Sequence, residues 1–267
     1  MREPTRSIIG LLTDFGQQDH YAGVMKAVIA SIAPDATVID LSHAVPPQSV
    51  LAGQRLLRAS LPYFPPGSIF LAVVDPGVGT VRRPMALRSG GHTFVGPDNG
   101  LFTPWLPGQA AIELAAAEYR LPVTSATFHG RDIFAPAAAH LAVGVPIDRL
   151  GPPLADPVLL HPLQAETRGD GTIVGEIVYV DRFGNLISNI AGVSGGTALF
   201  RDRELPLRHT YGSAQPGDLL AVAGSEGELE IAVRDGNAAA QLGAKPGERV
   251  TWSPRPPFAV RVGPGDF

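Results

Sequence analysis

The sequence predicts an α/β protein: an N-terminal, mainly parallel sheet flanked by helices, followed by a C-terminal antiparallel β-barrel domain. Three observations point there. Apolar strand-like runs alternate with helical ones through the first half of the chain. A proline-rich stretch, "VPIDRLGPPLADPVLLHP" at 145–162, then interrupts the chain without helical periodicity. After it come short β-rich runs separated by Gly, Asp and Ser turns. Domains are therefore expected over 1–155 and 165–257, in a chain of 267 residues with 45% hydrophobic content, enough to bury a substantial core.

The first strand is "SIIGLLTDF", an apolar run that leads into a loop at Asp14. Tyr21, Val24, Met25, Val28, Ile29 and Ile32 follow at steps of three and four, which places one apolar stripe on a helix. "TVIDLS" (37–42) is the next strand, "QSVLAGQRLLRASLPYF" (48–64) the next helix, and "SIFLAVVDP" (68–76) the third strand. "PMALRSG" and "HTFVGP" form a strand pair around Gly90-Gly91, and "AAIELA" is a further strand candidate. A helix is expected over "RDIFAPAAAHLAVG" (131–144), where Pro136 requires a late start or a bend. "GTIVGEIVYV", "NLISNI", "DLLAVAG" and "ELEIAV" supply the strands of a small barrel or sandwich, and the final "SPRPPFAVRVGPGDF" has no clear pattern.

Composition narrows the function. A net charge of −4 with no long basic run argues against a nucleic-acid partner, because a phosphate backbone needs a positive surface. Without cysteine there are no disulfides, thiolate metal sites or cysteine nucleophiles. No stretch approaches the roughly 18 apolar residues of a membrane span. The apolar run near the start meets Asp14 and lacks a small-residue cleavage site, so no membrane partner and a cytoplasmic location are expected.

The chemistry-bearing residues cluster at strand ends, where ligands of parallel sheets bind. "VVDPGVGTVRR" (73–83) carries an acid, two glycines and paired arginines. As a phosphate loop it lacks the lysine and the helix that must follow. A metal held by Asp14, Asp75 and His129 is conceivable by ligand type, but no histidine pair at helical spacing supports it. A third possibility is a metal-free site in which Asp75 and Arg82, seven residues apart across the turn, act on a water together with His129 of "TFHGRDIF". A structural ion pair is the commoner reading of an Asp and an Arg near a turn, and spacing alone does not separate the two. Asp14 fits either a turn cap or a group accepting both hydroxyls of a ribose.

Six ordered stretches, "LLTDFG", "VVDPGVGTVRR", "VGPDNG", "TFHGRDIFAPAAAHLA", "VDRFGNLISNI" and "GSEGELEIAVRDGNAA", together resemble the S-adenosyl-L-methionine (SAM) hydroxide adenosyltransferases, or SAM hydrolases, relatives of the fluorinating and chlorinating SAM enzymes. The resemblance runs from about residue 8 to residue 252. It implies an α/β domain and a β-barrel domain, a homotrimer with active sites between the N-domain of one subunit and the C-domain of its neighbour, and cleavage of SAM by water into adenosine and L-methionine. No cofactor is implied, since SAM is the substrate.

Carried over residue by residue, the resemblance places the catalytic set on Asp75, Arg82 and His129 and the ribose-binding acid on Asp14. Asn185 would meet the adenine, Asp181 and Ser225 the amino-acid end of SAM, and the backbone near Val233 and Ala238 would close the pocket. Glu230 is a further candidate, although strand alternation against Leu229 and Ile231 equally allows a solvent-facing role. Halogenating relatives carry an aromatic and a hydroxyl residue where this chain has His129 and Gly130, and lack the acid present here as Asp75. Glu226 stands where those enzymes have an arginine after the methionine-binding serine. Arg83 is expected to be structural.

Overall fold

In the computed structural model, which describes residues 6–254, the chain divides between Pro162 and Leu163 into two units. The proline-rich tail from 255 onward lies outside the described residues.

The first unit opens with strand β1 (Ile8–Thr13), helix α1 (Tyr21–Ile32), strand β2 (Thr37–Ser42), helix α2 (Val50–Ser60) and strand β3 (Ile69–Val73). β2 and β3 both run parallel to β1, which they flank. β1 and β3 are apolar on both sides and almost fully buried, as strands covered by helices on both faces must be. Strands β4 (Pro84–Ser89) and β5 (His92–Pro97) form the hairpin expected around Gly90-Gly91, and β6 (Ala111–Glu113) and β7 (Pro153–Leu154) complete the edge.

The order is β2-β1-β3-β5-β4-β6-β7. The pairings β1 with β2, β1 with β3 and β3 with β5 are parallel, and the remainder are antiparallel. The expected parallel character is thus confined to one half of the sheet. The reason is local: a two-residue turn between β4 and β5 can join only antiparallel strands.

Met25 and Ile29 of α1 pack on the sheet with Ile9, Leu71 and Val73 and with Phe134 and Ala138 from the last helical segment of the unit. That segment begins as a π-helical turn (Gly130–Phe134) and continues as helix α3 (Ala135–Ala142). Pro136 has no N–H, so the carbonyl of Asp132, four residues back, lacks its helical donor. It accepts instead from the amide of Leu121 at 2.9 Å, which ties the preceding loop to the helix.

The second unit holds strands β8 (Glu166–Thr167), β9 (Ile173–Val180), β10 (Leu186–Ala191), β11 (Thr197–Phe200), β12 (Arg203–Arg208), β13 (Leu219–Ala223), β14 (Glu228–Val233) and β15 (Arg249–Ser253), with a short helix α4 (Ala238–Leu242). Strands pair in the order β10-β14-β13-β12-β11-β15-β9, and β9 pairs back with β10, so the barrel is closed. All pairings are antiparallel except β12 with β13, which touch in parallel through Leu207 and Ala221. Ile177, Leu186, Phe200, Ile231 and Val250 fill the interior. Among the described residues no helix is long and apolar enough to cross a membrane.

Candidate active site

The parallel register of β1 and β3 sets Thr13 opposite Val73, so the loops carrying Asp14 and Asp75 leave the same edge of the sheet from adjacent strands. The turn after Asp75 closes on itself. Val78 N–H donates to the Asp75 carbonyl at 3.3 Å, Thr80 Oγ1 donates to the Gly77 carbonyl at 2.7 Å, and Arg82 N–H returns to Thr80 Oγ1 at 3.2 Å. Gly79 has φ +79°, and a Cβ there would sit 2.8 Å from the Ala126 carbonyl, so this position requires glycine for both conformation and space.

The closed turn delivers Arg82 to Asp75. Arg82 Nε donates to Oδ1 at 3.1 Å and Nη2 to Oδ2 at 2.5 Å, with the side chains only 6% and 5% exposed. The second proton of Nη2 points to His129 Nδ1 at 2.9 Å. A guanidinium has donors only, so Nδ1 must be the acceptor and the proton of the neutral imidazole resides on Nε2. Burial, reinforced by the Arg82 charge, holds His129 below the ordinary imidazole range. Burial also lifts the Asp75 carboxyl above the usual carboxylate range, against the pull of Arg82. Arg82 Nη1 is buried with no hydrogen-bond partner among the described residues. The cluster therefore contains an unused buried donor next to a carboxylate.

His129 is held by its neighbours. Phe128 makes edge contacts with Phe15, 6.0 Å between centroids, and with Tyr21 at 5.2 Å, so the loop after Asp14 and the loop before His129 share one aromatic cluster. Asp132, fully buried, accepts from Arg131 Nε at 2.6 Å and from the Ser125 amide at 2.8 Å, and thereby fixes the segment leading to His129.

Asp14 uses Oδ2 to accept from the amide of Gln48 at 2.8 Å, and Gln48 adopts φ +65°, rare for a residue with a side chain. Beneath it runs a buried polar chain. Thr13 Oγ1 lies 2.9 Å from His43 Nδ1 and accepts the Phe15 amide at 3.3 Å, while Gly16 N–H donates to the His43 carbonyl at 2.7 Å. His43 Nε2 approaches Asp40 Oδ1 at 3.2 Å, off the line of a good hydrogen bond, and Lys26 donates to the other oxygen of Asp40 at 2.5 Å.

In the barrel, Asp181 builds the turn between β9 and β10. Its Oδ1 accepts from the amides of Phe183 at 2.9 Å and Asn185 at 2.8 Å, and Oδ2 accepts from Asn185 Nδ2 at 2.9 Å. Gly184 in that turn has φ +83°, and a Cβ there would stand 2.0 Å from the Asn237 side chain, which itself caps α4 by accepting from Ala240 N–H at 2.7 Å. Val233 ends β14 and Ala238 opens α4, both buried. Ser225 is exposed on the turn between β13 and β14, its hydroxyl 3.5 Å from Glu226.

Glu230 is buried, at 6% exposure, which removes the solvent-facing alternative. Its side of the strand is covered, because Leu220, Val222 and Ala232 pack there with Ala214 from the connection before β13. The hydroxyl of Tyr211, from the same connection, donates to Glu230 Oε1.

A cavity of about 620 Å³ lies beside Arg203, Arg208, Ser213 and Gln215, and one of about 330 Å³ beside Arg88 and His92. Neither is lined by a candidate residue. Among the described residues no three His, Asp or Glu side chains gather as a metal would require.

The model of the SAM hydroxide adenosyltransferase N-terminal domain matches residues 9–151, and that of the C-terminal domain matches 175–251. The chain belongs to the SAM hydroxide adenosyltransferase family. A Thermus thermophilus protein named (R)-S-adenosyl-L-methionine hydrolase is 46% identical over 247 residues, spanning 88% of this chain and 95% of its own. A Salinispora tropica protein of the same name is 41% identical, over 91% of this chain and 96% of its own. The crystal structure of an uncharacterized conserved protein from Thermotoga maritima superposes with a TM-score of 0.84 at 36% identity, covering 92% of this chain and 99% of that one.

In this chain Arg83 has a structural place: it pairs with the buried Asp98 at 2.8 Å and with Asp156 at 2.7 Å. Tyr211, Thr13, His43 and Asp132 escaped the sequence reading. Thr13 ends an apolar strand, Asp132 lies in a helix start, and His43 and Tyr211 sit in connections, and only the partner that folding brings near gives each its meaning. A histidine following "TVIDLS" was the one visible signal for His43.

Proposed function

We propose that the protein hydrolyses S-adenosyl-L-methionine to adenosine and L-methionine, with water attacking the ribose C5′. The contact of the buried Asp75 and Arg82 side chains with half-buried His129, together with the unused Nη1 donor of Arg82, carries the mechanistic reading. The names of the relatives support the substrate. In the reaction an O–C5′ bond forms, the C5′–S bond breaks, and its electron pair neutralises the sulfonium to leave a neutral thioether. A site poor in water favours that loss of charge. No leaving group needs a proton, so the nucleophile is the difficulty: water has a pKa near 15.7.

The hydrogen-bond directions divide the roles. His129 Nδ1 is engaged by Arg82, so the imidazole offers the site a donor at Nε2 rather than a base. Arg82 Nη1 is a second donor. Asp75 alone in the cluster has lone pairs to receive a proton, and its raised pKa makes it a stronger base than an ordinary carboxylate. Asp75 therefore takes the proton while Arg82 and His129 hold the water oxygen. General-base help supplies about 10²–10⁴-fold, and orientation of the water in line with the C5′–S bond supplies the remainder.

Asp14 Oδ1 is left for the ribose hydroxyls, Asn185 for adenine, and Asp181, Ser225, Glu230 and the backbone near Val233 and Ala238 for the rest of SAM. The two groups of residues work together in a homotrimer, each site pairing one subunit's N-domain with its neighbour's barrel. Exposed apolar side chains beside both groups support this: Val81 in the Asp75 turn is 100% exposed and Phe183 in the Asp181 turn 73%. The reading needs no resident cofactor.

Incubation of the purified protein with SAM should yield adenosine and methionine in equal amounts and persist in chelator. The relatives' name specifies the (R) form, so both sulfonium epimers belong in the assay. Tight nucleoside binding without adenosine release would mark a sensor instead. Turnover abolished by chelator and restored by a divalent ion would transfer water activation to a metal, and light scattering at the mass of one chain would remove the trimer.

A further inference from the structure

Thr13 is fully buried and His43 is 4% exposed, yet neither belongs to the proposed catalytic group and neither is apolar. Two buried polar side chains at the ends of the adjacent strands β1 and β2 cost stability unless each is satisfied, so their placement needs a reason. The contacts around them supply one. The Phe15 amide can only donate, so Thr13 Oγ1 accepts from it and has one proton of its own to give. The other partner of Thr13 Oγ1 is His43 Nδ1 at 2.9 Å, on the side of the ring away from Nε2, which faces Asp40. Lys26 holds the far oxygen of Asp40. The contacts run in sequence from the Phe15 amide through the Thr13 hydroxyl and the His43 ring toward the Asp40 carboxylate, which Nε2 approaches at 3.2 Å without a good hydrogen bond.

Its geometry brackets Asp14. The residues on either side, Thr13 and Phe15, are both in the network, and Gly16 N–H donates to the backbone of His43. Five residues past His43, Gln48 is held at φ +65° and gives its amide to Asp14 Oδ2. The loop after β1 and the loop after β2 are thus sewn together around one carboxylate, with one oxygen pinned and the other left open. We propose that Thr13 and His43 are positioning residues for Asp14, fixing its carboxylate so that Oδ1 meets the vicinal diol of a ribose. This inference rests on the reading that Asp14 binds that diol.

The test compares Thr13→Val, which keeps the shape and removes the hydroxyl, with Thr13→Ser, which restores it, and adds His43→Gln. Calorimetric affinities for adenosine and for 2′,3′-dideoxyadenosine are measured on each folded protein, together with kcat and KM for SAM. The wild type should prefer adenosine. Thr13→Val and His43→Gln should lower that preference at least about fivefold, the value of one or two hydrogen bonds. KM should rise while kcat changes by less than about threefold, and Thr13→Ser should recover most of the loss. A preference unchanged in a folded Thr13→Val protein overturns the positioning role and leaves the Asp14 reading standing. No diol preference in the wild type overturns the Asp14 reading itself, and the inference with it. If His43→Gln does not fold, the two Thr13 variants decide alone.

Discussion

The two groups of polar residues in this chain are built in opposite ways. In the first unit, Asp75, Arg82 and His129 arrive from a turn and a helix start, 47 residues apart in the case of Arg82 and His129; the Asp75 and Arg82 side chains lose almost all contact with water, His129 stays half-buried, and the three satisfy one another incompletely. In the barrel, Asp181 and Asn185 come from a single turn, and the Asp181 carboxylate is occupied by that turn. Burial with an open donor is costly and is retained where chemistry needs it. A self-satisfied turn is inexpensive and holds a shape that a ligand can be laid against. The first arrangement suits reaction, the second recognition.

Substitutions should expose that contrast. Asp75→Asn keeps the shape and removes the base, and is expected to lower kcat by about 10²–10⁴ with KM little changed. In the wild type, activity should need ionised Asp75, so it is present above the folded pKa and lost as pH falls through it. Because burial raises that pKa, the acid limb of kcat should begin above the ordinary carboxylate range, and should be absent from the residual rate of Asp75→Asn.

Asn185→Ala, in the recognition group, should act on KM rather than kcat, raising it about threefold to tenfold for a lost hydrogen bond to the neutral adenine. A kcat effect as large as that of Asp75→Asn would erase the distinction between the two groups. Tyr211→Phe withdraws a donor from buried Glu230 and should destabilise the barrel by about 1–2 kcal/mol, read from a denaturant midpoint.

The smallest expected effect is a slope. His129 is held neutral below its ordinary pKa of 6.5, so its contribution to stability is present above 6.5 and is lost as pH falls from 6.5 toward the folded value. His129→Asn should flatten the dependence of stability on pH in that window. It should not abolish it, since burial lowers His92 and His140 in the same direction.

What could be read in the sequence was what is local. The Asp75 to Arg82 turn is legible because seven residues with two glycines have few ways to fold back, and the helix of Tyr21 to Ile32 because its period is plain. The tautomer of His129 was not legible, since it depends on a donor that only tertiary folding brings near. Glu230 misled by alternation: a strand in a sheet with one wet face would expose it, but here the connection carrying Ala214 and Tyr211 covers that face. The antiparallel half of the first sheet was signalled by the two-glycine turn, although the βαβ pattern before it suggested a more uniformly parallel sheet. Thr13 stands inside the "LLTDFG" stretch and His43 directly follows "TVIDLS", but nothing in the sequence pairs them, because their contact is made only when β1 and β2 lie side by side.

The central claim is that a water held by Asp75, Arg82 and His129 becomes the 5′ oxygen of adenosine. Turnover of SAM in ¹⁸O-labelled water, followed by mass spectrometry of both products, tests it most directly. One labelled oxygen in adenosine, at the 5′ position, and none in methionine is the predicted result. Unlabelled adenosine, or release of a thioether nucleoside in its place, would contradict attack of water at C5′.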